Sequence, residues 1–437
     1  MNSPNATDLV VTPTLARDVA GVDVSGAATA GIRGMRASSS RELSAGQRRS
    51  GRWETEGRFV FALAGDEAEY ATQLDPVPDW TRLLQVAWDA GAAGALRDYM
   101  RKHRQGTVPV AVERTLACLA LERDLRMRTL QRRASDSIAV LRSAGIEVAL
   151  LKGAALATTL YGSFASRPMN DVDLLVHSDQ ADEAKRLMLL AGWERDPELP
   201  DDVVYASHHH LAPLIDARGS RSRLEIHRTL LPAGHPFALP MSELWAGMRA
   251  ANLAGNQVVV LAPIHHALHI AIHFAWSHTM REGAWNAFRD LGAMERAGMI
   301  DWDELVRVAT RARAASCCYW TLALARALAK VHVPDDVLAA LQPDASGALL
   351  GRLERHFAWA ILRRDGTQLS VRLDRALWSS AIQPREHGHG DVRPWLVSAE
   401  LTPARIRHET ISRTGRAIRH AGRIARSGAC IARLLWN

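Results

Sequence analysis

The stretch RPMNDVDLLV, Arg167 to Val176, constrains the fold of this chain more than any other. Asp171 and Asp173 alternate with Val172 and run straight into Leu174, Leu175 and Val176. Alternate residues of a strand point to one face, so a strand here presents both carboxylates on one side and Val172 on the other. Carboxylates are rarely buried unless they are paired or bound to a cation. A fold that contains this strand therefore has to bring positive charge to that face.

The flanking sequence supplies further short elements. IEVALLKG, Ile146 to Gly153, is a short apolar run rich in β-formers and predicts a strand. GAALATTLYG predicts a helix after it. Ser178 is the expected N-cap of a helix over DQADEAKRLMLLAG that Gly192 closes. HHHLAPLID, the polar turn ARGSRS and RLEIHRTL predict a hairpin. The order is β-α-β-α-β-β, a small α/β core inside a chain that otherwise reads as helix. Before it, Trp80, Leu83, Leu84 and Trp88 recur at helical spacing, and Val110 to about Ser143 predicts a long helix, broken or not, that Gly145 stops. Its apolar positions include Leu116, Leu119, Leu121 and Leu125. From Ser242 onward the chain reads almost wholly helical.

The expected fold class is thus α+β, a minimal α/β core embedded in a mostly helical chain. The expected divisions are a disordered leader over 1–55, an N-terminal helical segment over 56–145, the core over 146–235, a C-terminal helical domain over 236–400 and a basic helical tail over 401–437.

Two carboxylates fixed at i and i+2 repel unless a cation lies between them, and their hard oxygens suit Mg²⁺. Glu225, in RLEIHRTL, is the candidate third carboxylate, and His227 shares its face by the same alternation. Lys152-Gly153 stands at a strand-to-helix turn, where free backbone N–H groups and the helix dipole favour phosphate. Of 54 basic residues only Lys102, Lys152, Lys185 and Lys330 are lysine, which makes Lys152 a candidate point charge chosen for its chemistry.

LLKGAALATTLYGSFASRPMNDVDLLV resembles the core of the polymerase-β-like nucleotidyltransferases, and within them a family of uncharacterised bacterial nucleotidyltransferases with the pattern LLKG…LY…R…DxDLLV…ExH. The resemblance puts Gly153 at the glycine turn, Asp171 and Asp173 at the metal-binding pair and Glu225 at the third acid. It places Arg167 at the arginine that precedes the pair. Gly162-Ser163 offers a competing turn, but it lies too close to Asp171 for a full helix to intervene. The family also carries helical histidines where His269 and His273 stand, which makes them candidates to line the cleft, and an aspartate where Asp290 stands. The resemblance implies transfer of an NMP from an NTP, ATP first, to a hydroxyl of an acceptor, with Mg²⁺, or alternatively Mn²⁺, as cofactor. Asp171, Asp173 and Glu225 would be the catalytic and metal-holding residues; Lys152, Gly153 and Arg167 would bind the nucleotide.

Two other readings are open at this stage. One is a catalytically inactive nucleotide- or partner-binding module of the same fold. The other is a histidine-metal hydrolase, prompted by His266, His269 and His273 at i, i+3 and i+7 of one helix face. His208, His209 and His210 are consecutive, and on a strand His208 and His210 would share a face. The chain has no apolar run of roughly 18 residues, so no integral membrane segment is expected. No secretory signal stands at the start, and Cys118, Cys317, Cys318 and Cys430 form no disulfide framework, which together predict a cytoplasmic protein with reduced thiols. The net charge of +7 is concentrated in the tail, where eight arginines stand against Glu409 alone. Ile411 and Ile418, then Ile424 and Ile431, recur there seven apart. With few aromatics among the arginines, nucleic acid is a weaker candidate partner for the tail than the body of the protein.

Overall fold

The computed structural model describes residues 53–65, 79–199, 202–220, 222–362, 377–379, 381 and 382. The expected leader up to residue 52, the basic tail with its isoleucine spacing, and Cys430 lie outside the described residues.

The strands are β1 (Ala149–Leu150), β2 (Asp171–Leu175), β3 (Trp193–Arg195), β4 (Leu214–Asp216), β5 (Arg223–His227), β6 (Arg249–Leu253) and β7 (Asn256–Val260). They form one mixed sheet in the order β3-β4-β5-β2-β1-β7-β6. β2 pairs parallel with β5 and antiparallel with β1, and β1 pairs parallel with β7. The helices α1 (Trp53–Ala62), α2 (Trp80–Ala90), α3 (Ala93–His103) and α4 (Val110–Ser143) precede the sheet. α5 (Lys152–Thr159) and α6 (Ala181–Leu190) connect its strands, and α7 (Met241–Ala246) leads into β6. The helices α8 (Pro263–Ile272), α9 (Ala284–Arg296), α10 (Trp302–Arg311), α11 (Ala315–Ala329), α12 (Asp335–Leu341) and α13 (Gly347–Leu362) follow. The expected α+β class is therefore what the chain adopts.

Parity of the strands sorts the sheet into two faces. Val148, Leu150, Val172, Leu174, Leu224, Ile226, Val258 and Val260 share one core with Met127, Leu130, Ala134, Ile138 and Leu141 of α4, and with Ala154, Ala155 and Ala157 of α5. The residues between them on β2 and β5, Asp171, Asp173, Glu225 and His227, are left to the opposite face. α8, which touches α5, stands on that side, since His269 senses Asp173, His227 and Lys152 electrostatically.

Several local expectations need correction. α4 is one unbroken helix of 34 residues, ended at Gly145 with φ +78°. Leu116 and Leu119 are buried in it, but Leu121 and Leu125, which the periodicity placed on the core side, are 57% and 52% exposed. Ser178 does not cap α6: it opens a short 3₁₀ turn over Ser178–Gln180, and no side chain caps either element. Gly192 does close α6, with φ +83°. The predicted hairpin forms between β4 and β5, but His208–Pro213 run beside β5 as irregular backbone rather than as strand, touching it in one bridge, His210 with His227.

The largest departure is β6–β7, which interrupts a region that reads as helix. Ala254 and Gly255 both take positive φ, +50° and +91°, as a two-residue hairpin turn requires. Asn252 Oδ1 accepts from the Gly255 N–H at 2.9 Å and steadies that turn. β7 is then held by β1, its parallel neighbour, so the sheet continues past the expected core boundary at 235. β1 is distant in sequence, but the turn at Ala254-Gly255 and the run Val258-Val259-Val260 were local signals of the β6–β7 hairpin that the helical reading passed over.

Cys317 and Cys318 are buried and Cys118 is exposed, all as free thiols. Among the described residues no helix is long and apolar enough to cross a membrane.

Candidate active site

Register makes the acidic face. Asp173 stands opposite Glu225 across the parallel β2–β5 pair, Asp171 opposite Arg223 and Leu175 opposite His227. The three acids and His227 thus meet on two adjoining strands. Asp173 is 4% exposed and His227 fully buried, while Asp171 and Glu225 are half-buried.

β1 delivers the lysine. Leu151 follows β1 and donates its backbone N–H to the Asp173 carbonyl at 3.1 Å. Lys152 then turns into α5 with φ +47°, a left-handed conformation that costs a residue other than glycine. The turn sends Lys152 Nζ to 2.8 Å from Asp173 Oδ1. The same oxygen lies 2.8 Å from His227 Nε2, which also stands 3.5 Å from Glu225 Oε2.

The charges respond to this crowding. Burial would raise the Asp173 carboxyl, but Lys152 and His227 hold it well below the ordinary carboxylate range. Burial opposes the charged form of Lys152 as well, yet Asp173, Glu225 and Asp171 together raise it. His227 is likewise raised, its hydrogen bonds to Asp173 and Glu225 outweighing burial. Glu225 is lowered because His227 and His210 outweigh its desolvation. Asp171 is the exception: burial, then Asp173 and Glu225, push it up to about 7. Among the described residues no hydrogen-bond donor reaches its carboxylate. One acid of the three is therefore short of positive charge.

Arg167 and Gly153 are coupled in space. Arg167 is buried and grips Asp290 of α9 with a fork, Nε to Oδ1 at 2.9 Å and Nη2 to Oδ2 at 2.6 Å. Its Nη1 donates to the Pro168 carbonyl at 2.8 Å. Tyr161 donates its hydroxyl to Asp290 Oδ1 at 3.0 Å. A Cβ at Gly153 would lie only 3.0 Å from Arg167 Nη1. Gly153 thus makes room for this guanidinium against the first turn of α5.

Histidines line the rest of the face. His266 and His269 of α8 are buried, and His273 opens a π-helical turn over His273–Ser277. Burial keeps all three neutral, lowering His266 to about 4 and the other two well below their ordinary value. Their ring nitrogens do not converge as a metal-ligating group, unlike Asp173, Glu225 and His227, or His208, His209 and His210, whose ligand atoms lie within 4.8 Å of one another. The observation that prompted a histidine-metal hydrolase on α8 is therefore not matched by the geometry.

Of the residues that the sequence singled out, the structure brings Asp171, Asp173, Glu225 and Lys152 together on one face, with Gly153 against Arg167 beside them. Sequence reasoning placed His227 at the margin, whereas His227 bridges Asp173 and Glu225 at the centre. It missed His210 beside Glu225, His209 beside His227, and Tyr161 on Asp290. The ExH spacing and the tyrosine of ALATTLYG were visible signals, but their partners are not local.

Comparison with protein-family models matches residues 76–330 to a family described as uncharacterised nucleotidyltransferase. The match spans more than half of the chain. The chain belongs to this family. No curated protein and no solved structure matches. For a nucleotidyltransferase the matched span is informative: it runs from just before α2 to just after α11, and so takes in the whole sheet, Arg167 with Asp290, and the histidines of α8.

Proposed function

We propose that this chain transfers a nucleoside monophosphate from an NTP to a hydroxyl of an acceptor, with pyrophosphate leaving, on a polymerase-β-like core. The observation that carries this is the meeting of Asp171, Asp173 and Glu225 on one face, beside Lys152 at the start of a helix.

The donor set fits a divalent cation. Three carboxylates supply hard oxygens, and Asp171 has no hydrogen-bond partner among the described residues and a carboxyl pushed up to about 7. Asp171, Asp173 and Glu225 would hold Mg²⁺, with Mn²⁺ as the substitute ion. Bound there, it would supply charge stabilisation for an in-line phosphoryl displacement.

The chain's own groups divide the remaining work. Lys152 offers a point charge to the triphosphate, at the cost of loosening its hold on Asp173. The first turn of α5 has no side-chain cap, so its backbone N–H groups are free for phosphate oxygens. Glu225 has a depressed pKa, which makes it a weaker proton acceptor and a better cation ligand. Arg167 is held by Asp290 and Pro168, so it acts as a positioning residue for the Gly153 turn.

A second reading, a nucleotide-binding module without catalysis, is favoured by one observation: Lys152 and His227 already neutralise Asp173. One experiment separates the two. The protein is incubated with each α-labelled NTP, ATP first, with Mg²⁺ and cell extract. The expected result is label transfer that a chelator and Asp171→Asn each abolish while the fold is kept. NTP binding without transfer would establish the module. No NTP binding with Mg²⁺ at millimolar concentration would end both readings.

A further inference from the structure

The histidine run at residues 208–210 is not accounted for by nucleotidyl transfer. We propose that His208, His209 and His210, with Glu225 at their edge, form a site for a divalent transition ion of the zinc class, separate from the carboxylate site of Asp171 and Asp173.

The three rings are gathered closely. Their centroids are 4.5 Å apart for His208 and His209, 4.3 Å for His208 and His210, and 4.7 Å for His209 and His210. Their candidate ligand atoms all lie within 4.8 Å of one another. A tetrahedral ion with Zn–N of about 2.0–2.1 Å needs these atoms roughly 3.3 Å apart, a contraction that side-chain rotation supplies.

The backbone that carries them is tied to β5 rather than loose. The His209 carbonyl accepts from Arg228 N at 2.8 Å and from Thr229 N at 3.2 Å, and Leu211 N donates to the Ile226 carbonyl at 2.9 Å. The rings are thus presented from a fixed edge of the strand that bears Glu225.

His210 has its tautomer set. Its Nδ1 is 2.7 Å from the Leu211 carbonyl, which can only accept, so Nδ1 carries the proton. Nε2 is left with its lone pair and stands 3.9 Å from Glu225 Oε2. An imidazole held by an N–H to a backbone carbonyl, with the other nitrogen open, is arranged as metal-bound imidazoles are. His209 Nδ1 is shielded from solvent and has no hydrogen-bond partner among the described residues. His208 lines a cavity of about 350 Å³ with Ser207, Arg228 and Thr229, which gives an ion a way in.

Donor chemistry separates the two sites. Imidazole nitrogen suits zinc-class ions, whereas Mg²⁺ prefers the all-oxygen set next door. Glu225 is the common edge.

The test uses the full chain, stripped with a chelator and titrated with Co²⁺ in millimolar Mg²⁺. The expected result is visible d–d absorption at one equivalent that Zn²⁺ displaces. His209→Ala, and His209→Ala with His210→Gln, should weaken Co²⁺ binding by roughly tenfold or more with unchanged circular dichroism. Asp171→Asn, which removes label transfer under the reading above, should leave Co²⁺ binding intact. The proposal fails if no Co²⁺ binds at micromolar concentration, if His209→Ala binds it as well as wild type, or if Asp171→Asn abolishes binding. The last result would place the ion among the carboxylates instead.

Discussion

Replacing Gly153 with alanine reverses the sign that helix propensity alone would give. Gly153 lies in the first turn of α5 and is not among the residues with positive φ, so an added methyl would ordinarily stabilise the helix by about 0.5–1 kcal/mol. Here the new Cβ would meet Arg167 at 3.0 Å from Nη1, 3.2 Å from Cζ and 3.4 Å from Nη2. Relaxed contacts lie near 3.5–4.0 Å, so the guanidinium has to recede by roughly 0.5 Å. It cannot do so freely, because Asp290 holds it at 2.9 and 2.6 Å and Pro168 at 2.8 Å. Overpacking a site of this kind costs about 1–3 kcal/mol, which leaves a net loss of about 0–2.5 kcal/mol after the propensity gain. The assay is urea unfolding of Gly153→Ala beside wild type, each repeated in an Arg167→Lys background. Lysine keeps a charge for Asp290 but removes the planar fork from above Gly153. In that background Gly153→Ala should become neutral or stabilising. A Gly153→Ala protein that is more stable than wild type would refute the coupling, as would an equal loss in both backgrounds.

The two aspartates of β2 should part company on substitution: Asp173→Asn removes the carboxylate oxygen that Lys152 and His227 share and should destabilise by about 3–5 kcal/mol, whereas Asp171→Asn removes a repelled carboxyl and should leave the thermal midpoint unchanged or higher. Equal midpoints for the two variants would count against this division. Acid should loosen the fold through its buried neutral histidines. His266 sits at about 4 when folded against an ordinary 6.5, so the folded state binds fewer protons between those values and stability falls as pH drops through them, by about 3 kcal/mol in full. His227, which is raised, contributes with the opposite sign and loses its share as pH climbs above 6.5. Urea midpoints measured against pH should show a shallower acid limb for His266→Leu, and an unchanged limb would contradict the assignment. Away from the site, Arg133 of α4 pairs with Asp216 of β4 at 3.0 Å, both almost fully buried. Asp216→Asn should therefore cost about 3–5 kcal/mol in denaturant unfolding, and a loss below about 1 kcal/mol would show the pair to be dispensable.

What could be read from the chain alone was what depends on near neighbours. The alternation of Asp171, Val172 and Asp173 put two carboxylates on one face, and Glu225 with His227 repeated the pattern, because strand geometry has a period of two wherever the strand lies. Gly145 and Gly192 ended their helices because a left-handed residue is cheapest as glycine. Tertiary structure alone decided what those faces meet. Register between β2 and β5 set Asp173 opposite Glu225, and one residue of slip would have turned Glu225 into the core. Arg167 found Asp290 across 123 positions, and β7 found β1 although its surroundings read as helix. His227 moved from the margin to the centre because burial left its ring no charged partner other than Asp173 and Glu225. Local periodicity says which way a side chain points; which group stands opposite depends on pairing between distant segments, and no local pattern encodes that.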